Sequence, residues 1–267
     1  MSGSYEIAVP FDATIFSGNG SQIYTGLAIA NLDASNSANV SCTARDAGGN
    51  VISNAISVPQ LNPLGQWAAY MFPLVQGQVG TFDCTSNTLI GAIATRALGT
   101  NALSSLPVIS LPASNSTATK IIPDFGVGAS FVTDFYVINM STSAAKFSIV
   151  FHDGNGNPVA VPFGNFGSIT TLSEAVFAGG AELYEFGTPT TSPPVFGSAI
   201  ITSEPGITIQ AVLRRLGSDG SYYEAAVPAI SGSIEIEVPF DATTFSGNNS
   251  QIYTGLAGLA PKFETTS

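Results

Sequence analysis

Residues 40–51 read VSCTARDAGGNV, and residues 148–159 read SIVFHDGNGNPV. In the first, Val40-Ser41-Cys42-Thr43-Ala44 alternates apolar and polar side chains, the period of a half-buried strand. Asp46-Ala47-Gly48-Gly49-Asn50 follows, and Asp153-Gly154-Asn155-Gly156-Asn157 stands at the same place in the second. Both supply the residues that enter left-handed backbone conformations without strain, which a tight hairpin requires. Strand, hairpin, strand is therefore the local unit. Short runs of this kind recur along the chain between Gly, Asn and Pro clusters. With 28 glycines and 16 prolines and no capped 3.6-residue apolar stripe, long helices are not expected. The expectation is an all-β fold of Ig-like β-sandwiches, six to eight short strands in each roughly 110-residue unit, with a closed barrel as the alternative.

The two hairpins belong to a larger repeat. Residues 9–28 (VPFDATIFSGNGSQIYTGLA) and 238–257 (VPFDATTFSGNNSQIYTGLA) match at 18 of 20 positions, differing only at Ile15/Thr244 and Gly20/Asn249. A weaker copy lies halfway, at 122–138 (IPDFGVGASFVTDFYVI). The alignment continues through Ile23/Phe131, Leu27/Phe135 and Ile29/Val137, and through CTSNTLIGAIATRALG (84–99) against ITSEPGITIQAVLRRLG (201–217). A unit of roughly 115 residues is an ordinary domain size. The reading is a first sandwich over 5–112, a linker over 113–119, a second sandwich over 120–230, a partial third repeat of two strands over 234–257, and a tail over 258–267.

Composition narrows the function. The 267 residues are 45% hydrophobic, enough for a packed core and too much for a disordered chain. Only 9% are charged, so the surface must be built from Ser, Thr, Asn, Gln and Gly, which suits faces that pack in assemblies. Seven Lys and Arg against eighteen Asp and Glu leave a net charge of −11, which excludes a basic surface able to neutralise several phosphates and hence a nucleic-acid partner. No run of 18 apolar residues exists to span a membrane. Met1-Ser2-Gly3-Ser4 has neither a basic region nor an apolar stretch behind it. An extracellular or cell-surface location is expected, with any signal peptide removed.

Cys42 and Cys84 are the two cysteines, and they align with Ile149 and Ile201. Replacement of both by core aliphatics places both inward and suggests that they face each other between sheets as a disulfide, which would imply an oxidising compartment. Two buried free thiols are the alternative.

Other candidate chemistry is weak. His152, the single histidine, has no evident partners for a triad or zinc site and reads as a surface strand residue. Asp153, Asn155 and Asn157 open like a calcium loop, but the twelfth position is Gly164 where a bidentate Glu is needed. Glu182 with Glu185, and Glu235 with Glu237, are close in sequence, yet nothing marks a cleft for paired-carboxylate hydrolysis. Glycines in GASFV and SGNGS precede no helix, so neither reads as a phosphate loop. Trp67, Tyr70, Tyr222 and Tyr223 could stack on sugars, but packing is the simpler role. No catalytic residue, metal or cofactor is expected.

The partial third repeat cannot bury a core with two strands. It must fold back, continue into a longer array, or add strands to another molecule. Its apolar positions Ile234, Ile236, Val238, Phe240, Ile252, Tyr253 and Leu256 are the candidate assembly interface. Head-to-tail use of such a segment does not close and yields a filament.

The pattern IPDFGVGASFVTDFYVINMS…FHDGNGNPV…TSEPGITIQAVLRR…YYEAAVPA resembles uncharacterised tandem Ig-like repeat domains of secreted bacterial surface proteins, and VPFDAT…QIYTGLAIANL…CTARDAGGNV resembles a cysteine-bearing sister form. The resemblance implies export and a β-sandwich, and carries over no catalytic residue. The function expected is a structural subunit of an extracellular fibre or surface layer whose partner is itself; the alternative is an adhesin or carbohydrate-binding module recognising a glycan or surface protein.

Overall fold

The computed structural model describes residues 5–16, 20–72, 74–98, 102–106, 109–111, 118–164, 167–187, 193–218, 220–230, 244–245 and 250–251. Over the described residues the fold is all-β, with antiparallel sheets and no closed barrel. In the first half, β1 (Tyr5–Asp12), β3 (Val40–Asp46), β4 (Val51–Ile56), β6 (Val79–Ser86) and β9 (Ile109–Leu111) form a sheet ordered β4-β3-β6-β1-β9. β2 (Ile23–Asn31), β5 (Gln66–Tyr70), β7 (Ile90–Leu98) and β8 (Ala102–Leu106) form the facing sheet, ordered β5-β2-β7-β8.

The second half repeats this plan. β10 (Ala118–Val127), β12 (Ala145–Asp153), β15 (Thr171–Val176) and β17 (Val195–Ser203) stand in the order β10-β17-β12-β15. β11 (Phe131–Asn139), β16 (Ala181–Phe186), β18 (Ile207–Leu216) and β19 (Tyr222–Pro228) stand in the order β16-β11-β18-β19. Two short pairs complete the described strands: β13 (Val161–Pro162) with β14 (Ser168–Ile169), and β20 (Thr244–Phe245) with β21 (Ser250–Gln251). Register as well as order is duplicated. Leu27 pairs with Ala94 as Phe135 pairs with Ala211, and Val9 pairs with Phe82 as Ile122 pairs with Ala199.

Each half closes its own core. Val9, Phe11, Leu27, Ile29, Phe82 and Ile90 fill the first; Ile122, Phe125, Phe135, Val137, Phe151 and Phe186 fill the second. Burying each such side chain stabilises by about 1.5–3 kcal/mol. The two halves also share polar devices. Thr25 donates to the Asp12 carbonyl and Thr133 to the Gly126 carbonyl. Asn31 donates to the carbonyls of Asn36 and Asn62, and Asn139 to those of Ser143 and Val176, so each pins the loop after its strand. Gly80 and Gly197 occupy equivalent ladder positions. A Cβ there would lie 1.9 Å from the Arg45 carbonyl oxygen or 1.8 Å from that of His152, so both strands need glycine.

Cys42 and Cys84 form a disulfide, and both are fully buried. The expected placement between sheets is corrected: the two are directly opposite each other on the neighbouring strands β3 and β6 of one sheet, with Cα atoms 4.1 Å apart. Alternation turned both inward, as Ile149 and Ile201 are turned, and the ladder register made them partners.

The sheets of the two halves meet back to back. β2 alternates buried and half-buried residues, as expected for one covered face, but β11 is buried on both faces from Val132 to Asn139. Phe135 and Val137 enter the second core, whereas Tyr136, with Val212 of β18 and Leu183 of β16, packs against the first half. The outer face of β16-β11-β18-β19 therefore covers the outer face of the β1–β6 region, where Ala8, Asp12 and Thr81 are fully buried.

Candidate functional site

The most concentrated chemistry in the described residues lies in that seam. Asp12 ends β1, and its carboxylate accepts four hydrogen bonds: from the Thr14 amide at 3.0 Å, the Thr14 hydroxyl at 2.7 Å, the Tyr136 hydroxyl at 2.7 Å and Arg96 Nε at 3.1 Å. Arg96, inward-facing on β7, also pairs through Nη1 with Glu224 of β19, and its Nη2 lies 3.8 Å from Asp134. Arg214, on the outer face of β18, pairs through Nη2 with Asp134 and at 3.1 Å with Glu185. The Ser104 hydroxyl donates to Glu224 at 2.9 Å. The Phe16 ring sits 4.1 Å beneath the Arg214 guanidinium and meets Tyr222 edge to face.

Two guanidiniums thus face four carboxylates, most of them out of contact with solvent. Burial pushes Asp12 upward, but Arg96 and the Thr14 and Tyr136 hydrogen bonds outweigh it and hold the carboxyl below its ordinary value. At Asp134 burial wins over the pull of Arg214 and Arg96, and the pKa rises to about 6. Burial likewise raises Tyr136, which stays protonated and donates to Asp12. The arrangement pairs charges from both halves, with acid in excess and the raised Asp134 absorbing part of that excess.

A cavity of about 240 Å³ adjoins the cluster, bounded by Thr14, Ile15, Ile23 and Leu183 besides the charged groups. Among the described residues no histidine or thiol lines it, the Thr14 hydroxyl is engaged by Asp12, and its two arginines already face carboxylates of the protein. A second hollow, of about 520 Å³, is bounded by Tyr5, Leu32, Asn36, Asn87, Thr88 and Leu89.

Other sequence candidates fall apart in space. His152 is half-buried on a strand face, with Nδ1 3.0 Å from the Gly156 carbonyl oxygen of its own hairpin. Asp153 accepts from the Asn155 and Asn157 amides, so its carboxylate braces the turn. Gly164 sits beyond β13. Glu182 and Glu185 point to opposite faces of β16, and Glu185 is held by Arg214. Trp67 packs on the first core and Tyr222 is buried, whereas Tyr70 and Tyr223 are exposed. Among the described residues no group of three His, Cys, Asp or Glu side chains is placed to hold a metal ion, and no helix is long and apolar enough to cross a membrane. Glu235, Glu237, Ile234, Ile236, Val238, Phe240, Ile252, Tyr253 and Leu256 lie outside the described residues.

Sequence reasoning missed Arg96, Asp134, Arg214 and Glu224. The signal was present in β11, where VTDFYVI carries apolar residues on both parities, with Thr133 and Asp134 the polar exceptions. No family model, curated protein or solved structure matches this chain.

Proposed function

We propose that the chain is a non-catalytic structural subunit of an extracellular fibre or surface assembly, joined head to tail to further copies through its C-terminal repeat segment. The observation that carries the reading is the near-identity of 238–257 with 9–28, set against where the differences fall in the folded first half. Ile15 is 64% exposed, and Gly20 is exposed with open space where a Cβ would stand. Gly20 has φ +71°, a conformation that Asn, its counterpart at 249, tolerates better than most residues. Every buried residue of 9–28 therefore has the same residue in the C-terminal copy, Asp12 and Thr25 included. The interior disulfide suits an oxidising compartment. The sparsely charged composition suits faces that pack against one another, and the ionic seam joins the two sandwiches into one building unit.

The test is removal of 234–267 from the full chain, with size followed by light scattering and electron microscopy. Loss of long assemblies is expected; assemblies of unchanged length from the truncated chain refute joining through this segment. A place for the adhesin reading is the hollow beside Tyr5, Asn36 and Asn87. Glycan binding by a monomer that never assembles would favour it.

A further inference from the structure

The duplication permits a comparison of four sheet faces, two mated within the chain and two left open. Sheet β4-β3-β6-β1 of the first half is equivalent to β15-β12-β17-β10 of the second, and β5-β2-β7-β8 is equivalent to β16-β11-β18-β19. In the seam, the outer face of the first kind in half one meets the outer face of the second kind in half two. The open faces are the same two kinds with the halves exchanged: β5-β2-β7-β8 of half one, and β15-β12-β17-β10 of half two.

Both open faces have lost the charges that the mated faces carry. By ladder register, Asp134, Glu185 and Arg214 of the mated face correspond to Gly26, Tyr70 and Ala97 of the open one. On the other side, Asp12, Asp83 and Arg45 correspond to Gly126, Ile200 and His152. The open face of half one consequently presents Ala28 between Ala68 and Ile93, and Gly26 between Tyr70 and Thr95, with no charged side chain on β2, β5 or β7 pointing outward. Ile93 is 42% and Tyr70 57% exposed, and Tyr24, Tyr70 and Phe72 form an aromatic cluster beside them. The open face of half two presents Val150, His152, Phe196 and Ile200, with Lys146 at one end. An open antiparallel sheet ordinarily turns polar residues outward. A broad face poor in charge that exposes Ile93, Tyr70 or Phe196 is the mark of a contact surface.

We propose that these two faces are each other's partners: the outer face of β15-β12-β17-β10 in one molecule docks on the outer face of β5-β2-β7-β8 in a second copy, repeating between molecules the relation seen within one. The concerted loss of charge is the complementarity. A mated-type face set against an open one would bury Asp134 and Arg214, or Asp12, without counter-ions. The halves therefore alternate along the assembly. The order of the chain agrees, since a copy of half one's opening strands follows half two. In sequence, Tyr253, Gly255 and Ala257 of that copy repeat Tyr24, Gly26 and Ala28, the outward positions of β2. The inference rests on the head-to-tail reading above and adds what strand exchange by itself lacks. The copy places Gly258 and Ala260 where the resident strand has the buried Ile29 and Asn31, so the swapped strands alone bind less well than those they replace. Ile230, bonded to Ile121 on β10, is four residues from Ile234, a reach of about 14 Å. Any acceptor of the segment is thereby held against half two.

The seam also specifies a contact point. A Cβ on Gly49, at the β3–β4 hairpin tip, would lie 2.1 Å from the Ala178 carbonyl oxygen in the turn before β16. The equivalents are Gly156 and Pro63, and the turns agree in conformation: Gly179 has φ +66° and Leu64 φ +56°. The full chain carrying Gly156→Cys, where a Cβ meets open space, and Pro63→Cys, assembled and then oxidised, is expected to give a ladder of disulfide-linked multimers on non-reducing gels. Single-cysteine variants stop at dimers. In parallel, Ile93→Lys, at an exposed position, should raise the concentration needed for assembly at least tenfold, with the Cys42–Cys84 disulfide and the circular dichroism unchanged. Substoichiometric Ile93→Lys chains should shorten wild-type assemblies, because each keeps one sound face. Wild-type fibres that do not cross-link and that Ile93→Lys forms equally well overturn the face pairing and leave the head-to-tail reading standing. Wild-type chains that remain monomeric overturn both.

Discussion

Arg96→Met removes the cation at the centre of the seam while keeping most of the side chain's volume. Arg96 is fully buried, makes charged contacts through Nε to Asp12 and Nη1 to Glu224, and lies 3.8 Å from Asp134. Hydrogen bonds to charged groups contribute roughly 1.5–3 kcal/mol each, and stripping one partner from a buried ion pair costs about 3–5 kcal/mol. A loss of about 4 kcal/mol follows, a large fraction of the 5–15 kcal/mol that typically holds a domain folded. With a urea slope of about 2.5 kcal/mol/M, the midpoint should fall by roughly 1.5 M. The loss should also depend on pH. Without Arg96, burial dominates at Asp12 and reinforces the rise at Asp134, so both carboxyls gain protons more readily in the folded chain. The deficit should therefore be largest at pH 8 and shrink towards pH 5, by about 1.4 kcal/mol for each unit of pKa rise. A midpoint shift worth less than about 1 kcal/mol, or a deficit equal at pH 5 and pH 8, would refute the account of the seam as a set of mutually dependent charges.

Two further outcomes follow from the same structure. Asp134 has a folded pKa of about 6 against 3.8. Between those values the folded chain keeps a proton that the unfolded chain has lost, so stability should fall as pH rises from 4 to 6, by up to about 3 kcal/mol. Asp134→Asn should flatten that window in urea midpoints taken at pH 4, 5, 6 and 7; an unchanged slope would assign the effect to another group. Asp12, held low, acts in the opposite sense and only as pH falls below its unfolded value near 3.8. Reducing the Cys42–Cys84 bond frees a loop of 42 residues and should cost about 4 kcal/mol by loop-closure entropy. A thermal scan with and without reductant checks it, and coincident transitions would count against a stabilising role.

The strands and the repeat were legible because both depend on local pattern. Alternation at Val40–Ala44 and the Asp-led hairpins needed no knowledge of the rest of the chain. Alternation also turned Cys42 and Cys84 inward, but it names a face, not a neighbour. Pairing of β3 with β6 is a matter of ladder order, and the inter-sheet placement erred there. The seam was legible only in part. Arg96 and Arg214 sit one ladder position apart, Arg96 matching Leu213 and Ala97 matching Arg214. Neither arginine stands out in an aligned repeat. A single charge in a strand ordinarily belongs to a solvated face, and only the apolar character of β11 on both parities says otherwise. That character becomes informative once a second body is known to lie against the strand.

The uneven use of charge along the chain has a physical reading. Two of its four arginines are enclosed in the seam. Well-packed aliphatic residues there would hold the halves together at least as firmly. They would also make the seam resemble the open faces, and any half could then dock on any other. Buried charges whose counter-ions come from the other half exclude wrong pairings, because each mismatch leaves an ion without its counter-ion. Within one molecule the seam is thus a specificity device more than a source of stability. On the proposed pairing, its absence from the open faces keeps those available to each other.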